Sequence, residues 1–99
     1  MSVYDRYQEP VDLLKALAHP VRMCIVVNLM QERRNVKRMR ECLDIPQSSV
    51  SQQLAILKAQ GIVTGERKGN EVCYSVVDEK AENIINLILD EFGIDIVED

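Results

Sequence analysis

The sequence predicts a mainly α-helical domain closed by a small β-hairpin, and three observations predict it. Apolar residues recur at three- and four-residue intervals through most of the chain. Two β-branched runs, 62–67 and 72–77, flank a short connection containing Gly69-Asn70. The length of 99 residues leaves room for one hydrophobic core, because domains cluster around roughly 100–150 residues. Residues 1–99 are therefore expected to form a single domain, with an ordered core from about 8 to 92. A composition of 46% hydrophobic and 28% charged residues is ordinary for a globular chain, and it argues against a disordered tail or a membrane protein.

The first helix is placed by Val11, Leu14, Leu17 and Ala18, with Pro10 in a first-turn position where its missing N–H costs nothing. Pro20 restarts the chain. From Val21 to Met30 nearly every side chain is apolar apart from Arg22 and Asn28, the pattern of a helix surrounded by others. Asn35 is placed to cap a third helix running to about Leu43, which turns Val36, Met39 and Leu43 inward and Lys37, Arg38 and Arg40 outward. Asp44-Ile45-Pro46 forms a tight connection to a fourth helix, 47–60, which stops at Gly61, a residue that tolerates a left-handed turn.

On the fourth helix Val50, Leu54 and Leu57 share one side at about 100° per residue, while Ser48, Ser51, Gln52 and Ala55 share the other. Residues 47–57 carry no charge, unlike an ordinary solvated helix face. Serine and glutamine are short donors and acceptors, and Gln can pair bidentately with adenine in a major groove. Beyond the hairpin a last helix begins near Asp78 or Glu79. Its Ala81, Ile84, Ile85, Leu87, Ile88, Leu89 and Phe92 cover more circumference than one packing face needs, which predicts burial against a second copy of the chain.

Charge is segregated. Residues 1–32 carry −1, residues 33–68 carry +5 from eight basic and three acidic groups, and residues 69–99 carry −8, within a net charge of −4. A phosphate backbone responds to the field within about 8–10 Å, so the middle segment suits a polyanion although the whole chain is acidic. A module that pairs only with other proteins would need neither the basic middle nor the uncharged helix face. One histidine, His19, three separated cysteines and no glycine-rich phosphate loop offer no nucleophile–base constellation, so no enzyme and no cofactor are expected. No apolar run reaches the roughly 18–20 residues of a membrane span, and the start of the chain lacks a basic stretch followed by an apolar one. The reading is a cytoplasmic protein with no membrane partner. The odd cysteine count, without C-x-x-C spacing, predicts reduced thiols and no zinc site.

Three helices, a three-residue turn, a polar-faced helix and a basic hairpin together make a winged helix-turn-helix. Lys15-Ala16-Leu17-Ala18-His19-Pro20-Val21-Arg22, Pro46-Gln47-Ser48-Ser49-Val50-Ser51-Gln52-Gln53-Leu54, and Gly61-Ile62-Val63 followed by Arg67-Lys68-Gly69 closely resemble the ArsR/SmtB family of bacterial transcriptional repressors, over about residues 8–92. The resemblance implies a homodimer built on the first and last helices, through Leu13, Leu14, Leu17, Ile84, Ile85, Leu87, Ile88, Leu89 and Phe92. It implies that Gln47, Ser48, Ser49, Ser51 and Gln52 contact bases and nearby phosphates of double-stranded operator DNA. Lys58, Arg67 and Lys68 then hold phosphates, and Asn70 lies where the wing approaches the duplex. Many family members have His where Gln52 stands. Arg22 is open to two roles, tying helices together or touching DNA.

The ligand sites known in the family find no match here. Metal-sensing members carry a Cys-x-Cys pair where this chain has Asn35 to Lys37, or Asp and His clusters on a last helix that here contains no histidine. No metal is expected. Redox-sensing relatives carry cysteines on the second and last helices, where this chain has Val27 and no cysteine. Cys24, Cys42 and Cys73 therefore read by default as buried and inert, with Cys42, beside Arg40, the thiol to test first. A small-molecule or redox effector is left open.

Overall fold

The computed structural model describes residues 2–95. A 3₁₀ segment, Val3–Tyr7, leads directly into α1, Gln8–Leu17. This segment was not anticipated. It is held locally, by the Tyr4 N–H donating to Ser2 Oγ at 3.2 Å and the Ser2 N–H donating to Asp5 Oδ2 at 3.0 Å. Helix α2, Pro20–Gln31, follows at 91° to the first helical stretch. Then come β1, Arg34–Asn35, α3, Val36–Leu43, α4, Gln47–Ala59, β2, Val63–Lys68, β3, Glu71–Val76, and α5, Glu79–Glu91. Among the described residues no single helix is long and apolar enough to cross a membrane.

The turn between α1 and α2 explains the Leu17-to-Arg22 motif. Each of the last four carbonyls of a helix lacks an intrahelical partner and must find another. Those of Leu14 and Leu17 accept from the N–H groups of Ala18 at 2.9 Å and His19 at 2.8 Å. Those of Lys15 and Ala16 accept from Arg22, through Nη2 at 3.2 Å and Nε at 2.6 Å. His19 in turn caps α2, its Nδ1 accepting from the Val21 N–H at 3.1 Å, and Pro20 occupies the first helical position.

Helix α2 lies at the centre, packed against α3, α4, α5 and β3. Ile25, Val26, Met39, Val50, Leu57, Ile62, Ala81 and Ile85 are wholly buried around it. Full burial of a large aliphatic side chain contributes about 1.5–3 kcal/mol, so this group is the principal source of stability. The inward face of α1 is Leu13, Ala16 and Leu17. Val11, Leu14 and Ala18, expected to face inward, are exposed instead. Leu14 lies about 110° and Val11 about 165° around the helix from the centre of that inward face, and only Leu17 belongs to both the expected and the observed face.

The sheet has three antiparallel strands in the order β1-β3-β2. Only the β2–β3 hairpin was expected. Strand β1 pairs Arg34 with Tyr74 and Asn35 with Cys73. Two residues carry no alternation, so no periodic signal marked it. At the hairpin tip Gly69 alone has positive φ, at 63°, the pattern of a type II′ turn rather than one that needs both residues left-handed.

Candidate nucleic-acid interface

Helices α3 and α4 are joined by residues 44–46. Asn35 caps α3 as its sequence position predicts, Oδ1 accepting from the Arg38 N–H at 2.8 Å. Asp44 takes the left-handed conformation at φ 54°, which stops α3 and turns the chain within one residue. Pro46, extended at φ −60° and ψ 147°, then starts α4. No side chain caps that helix, so its first N–H groups suit a phosphate oxygen.

The faces of α4 separate as the wheel predicts. Val50, Leu54 and Leu57 are buried against the core. Gln47, Ser48, Ser51, Gln52 and Ala55 are exposed, whereas Ser49 is half-buried at the margin. Lys58 is also exposed and lies about 20° around the helix from Ser51, so the cation extends the uncharged stripe. Arg67, Lys68 and Asn70 are exposed at the tip of the β2–β3 hairpin.

The cationic middle segment divides into two groups. Lys37, Arg40, Lys58, Arg67 and Lys68 are exposed. Arg34 is 6% exposed, so its guanidinium is turned into the protein and not toward solvent. Its Nη1 donates to Cys42 Sγ at 3.2 Å, and its Nε lies 3.3 Å from a Glu32 carboxylate oxygen without hydrogen-bond alignment. Arg33, just before β1, pairs with Glu66 on β2 at 3.2 Å, across the sheet. That pair is half open to solvent and contributes about 0–1 kcal/mol, so it biases the hairpin's position without locking it.

Several expected roles change. Leu13, Leu17, Ile85 and Leu89, assigned to a subunit interface, belong to this chain's own core, at 8%, 2%, 0% and 9% exposure. Ile84 and Ile88 are half-buried, and Leu14, Leu87 and Phe92 are open. The cysteines also depart from the buried expectation. Cys24 is exposed on the outer side of α2, and Cys42 and Cys73 are half-buried. The arginine that meets Cys42 is Arg34, eight residues before it, rather than its neighbour Arg40. Arg22 ties helices together: besides the two α1 carbonyls, its Nη1 donates to Gln53 Oε1 on α4 at 2.9 Å. Sequence reasoning missed Gln53. Its position between the buried and exposed faces was the available signal. Among the described residues no group of three His, Cys, Asp or Glu side chains comes close enough to hold a metal ion.

A helix pair joined by a three-residue turn, with a hairpin beside it, defines a winged helix-turn-helix protein, and likeness to known proteins makes the class more specific. The model of the arsR family of bacterial regulatory proteins matches residues 19–64. The transcriptional repressor PagR of Bacillus anthracis is 36% identical over 86 residues, 86% of this chain and 86% of its own, and its crystal structure superposes with a TM-score of 0.78 over 86% of this chain and 98% of that one. The transcriptional repressor BigR from Xylella fastidiosa gives a TM-score of 0.80 at 30% identity, over 96% and 94% of the two chains. The repressor SmtB of Mycobacterium tuberculosis is 49% identical over 74 residues, 75% of this chain, which spans 55% of the length of that relative. The chain belongs to the ArsR family of bacterial regulatory proteins.

Proposed function

We propose that this protein is a homodimeric transcriptional repressor that lays α4 in the major groove of a partly palindromic operator, with the β2–β3 hairpin as a wing on the adjacent backbone. The observation that carries the reading is the exposed Ser/Gln face of α4, uncharged itself and flanked by the exposed cations Lys58, Arg67 and Lys68. Ser48, Ser51 and Gln52 are the base readers in this reading. Gln47 and Ser49 sit at the helix start, where phosphate and the first bases meet, and Asn70 approaches the backbone from the wing. Occupation of the operator by the protein blocks transcription.

Two copies are required because one α4 spans only a few base pairs. Val3, Tyr4, Tyr7, Val11 and Leu14 are exposed apolar residues along the first helical stretch, and Leu87 and Phe92 are exposed apolar residues on α5. A second copy is the occupant that the family reading supplies for this surface. Two α4 helices related by a two-fold axis read half-sites about one helical turn, roughly 10–11 base pairs, apart.

The test begins with selection of bound duplexes from a random-sequence library by the purified protein. A recovered consensus with two inverted half-sites at that spacing is the expected result. Fluorescence anisotropy on the recovered duplex then separates the roles. Ser51→Ala or Gln52→Ala should cost about 1–3 kcal/mol per lost base contact and relax the preference at one position, while Lys68→Ala should weaken all duplexes alike and lower the salt slope by about 1. Failure to recover any consensus, or identical behaviour of the two kinds of variant, would refute the assignment.

A further inference from the structure

The guanidinium of Arg22 has three partners on two helices. It holds the Lys15 and Ala16 carbonyls at the end of α1 and the amide oxygen of Gln53 on α4, 31 residues away. A guanidinium can only donate, so the amide facing it must present its oxygen. That commits Gln53 Oε1 to the protein. Bidentate pairing with adenine needs both amide atoms, which removes Gln53 from that role. Gln52 beside it is exposed, with no partner for its amide among the described residues.

On the reading of α4 as the groove-binding helix, we propose that Arg22 and Gln53 form a strut by which α1 sets the angle of α4 against the duplex, making Arg22 a positioning residue for base readout. The chemistry of the link supports this role. Arg22 is a rigid planar fork whose Nε and Nη2 fix it on α1 while Nη1 reaches α4, a geometry that a lysine ammonium on a flexible stem cannot reproduce. Helix α1 also exposes Val11 and Leu14, the surface that the homodimer reading assigns to the second copy. The strut therefore runs from the subunit contact to the recognition helix. Direct base contacts tolerate little displacement, whereas phosphate contacts from Arg67 and Lys68 at the hairpin tip depend on charge more than on angle.

The experiment compares two duplexes of equal length and composition, the one selected by wild-type protein and a scrambled version, at a fixed salt concentration. Arg22→Lys and Gln53→Met should each lower affinity for the selected duplex about tenfold and leave affinity for the scrambled duplex within about twofold, with oligomeric state unchanged. The double variant should bind no worse than either single one, because both remove the same link. Equal weakening on both duplexes, or full affinity in both variants, overturns the proposal. A further loss from Gln53→Met in the Arg22→Lys background also overturns it, since Gln53 would then touch DNA itself. If Arg22→Lys unfolds at the assay temperature, Gln53→Met decides the matter alone, because it leaves the α1 carbonyls capped. If wild-type protein selects no consensus, the repressor reading fails and the strut fails with it. Loss confined to the variants separates the two claims.

Discussion

Gly65 lies in the middle of β2, across from Tyr74 on β3. A Cβ added there would stand 2.8 Å from Val72 Cγ1 and 3.0 Å from Tyr74 Cε1. Carbon atoms pack best at about 3.5–4.0 Å, so both contacts are short by at least half an ångström. Neither neighbour yields easily. Val72 is β-branched and stiff about χ1, and Tyr74 packs against the core. Overpacking of this kind costs about 1–3 kcal/mol, and the reduced freedom of the unfolded chain with alanine offsets about 0.4–1 kcal/mol of it. A net loss of roughly 1–2 kcal/mol corresponds to a fall in Tm of about 4–16 °C for a domain of this size. Circular-dichroism melts of Gly65→Ala and wild type at equal protein concentration measure it. The same substitution in a Val72→Ala background, where the closest atom is gone, should cost markedly less. A Tm at or above wild type, or an equal cost in both backgrounds, would refute the steric account and show that the hairpin gives way freely at this position.

Leu14 and Leu87 are 51% and 59% exposed, so Leu14→Glu with Leu87→Glu should leave the chain folded while reducing its mass in sedimentation equilibrium from dimer to monomer. Retention of the dimer mass would place the subunit contact elsewhere. Asn28 is buried at 8% exposure on α2, and its Oδ1 has no hydrogen-bond partner. Asn28→Leu, which keeps the branched outline of the side chain and removes the unpaired acceptor, should be neutral or stabilising by about 1 kcal/mol in urea denaturation. A loss of more than about 1 kcal/mol would mean that the amide is satisfied in solution.

What the sequence determined by itself is local. Asn35 and Asp78 cap α3 and α5, Gly61 follows α4 with φ 79°, and the Gly69-Asn70 pair closes the hairpin, because each of these signals acts within one turn of chain. The separation of α4 into Val50, Leu54 and Leu57 on one side and Ser48, Ser51 and Gln52 on the other was equally legible, since helical period alone decides it. The expected face of the candidate interface followed from that period.

Tertiary structure decided what depends on residues distant in sequence. Strand β1 exists because Arg34 and Asn35 meet Tyr74 and Cys73, about 40 positions away, and no two-residue segment advertises that pairing. The apolar residues of α1 and α5 are alike in composition, yet Leu17 and Ile85 fill this chain's core while Leu14 and Leu87 remain open, a division made by which neighbours arrive. Arg34 and Arg22 are both arginines near a helix end. One is buried against Cys42 and Glu32, and the other spans α1 and α4. A side chain's charge is written in its own residue, but the partners that neutralise, orient or expose it come from elsewhere in the fold, and only the assembled structure brings them within hydrogen-bonding distance.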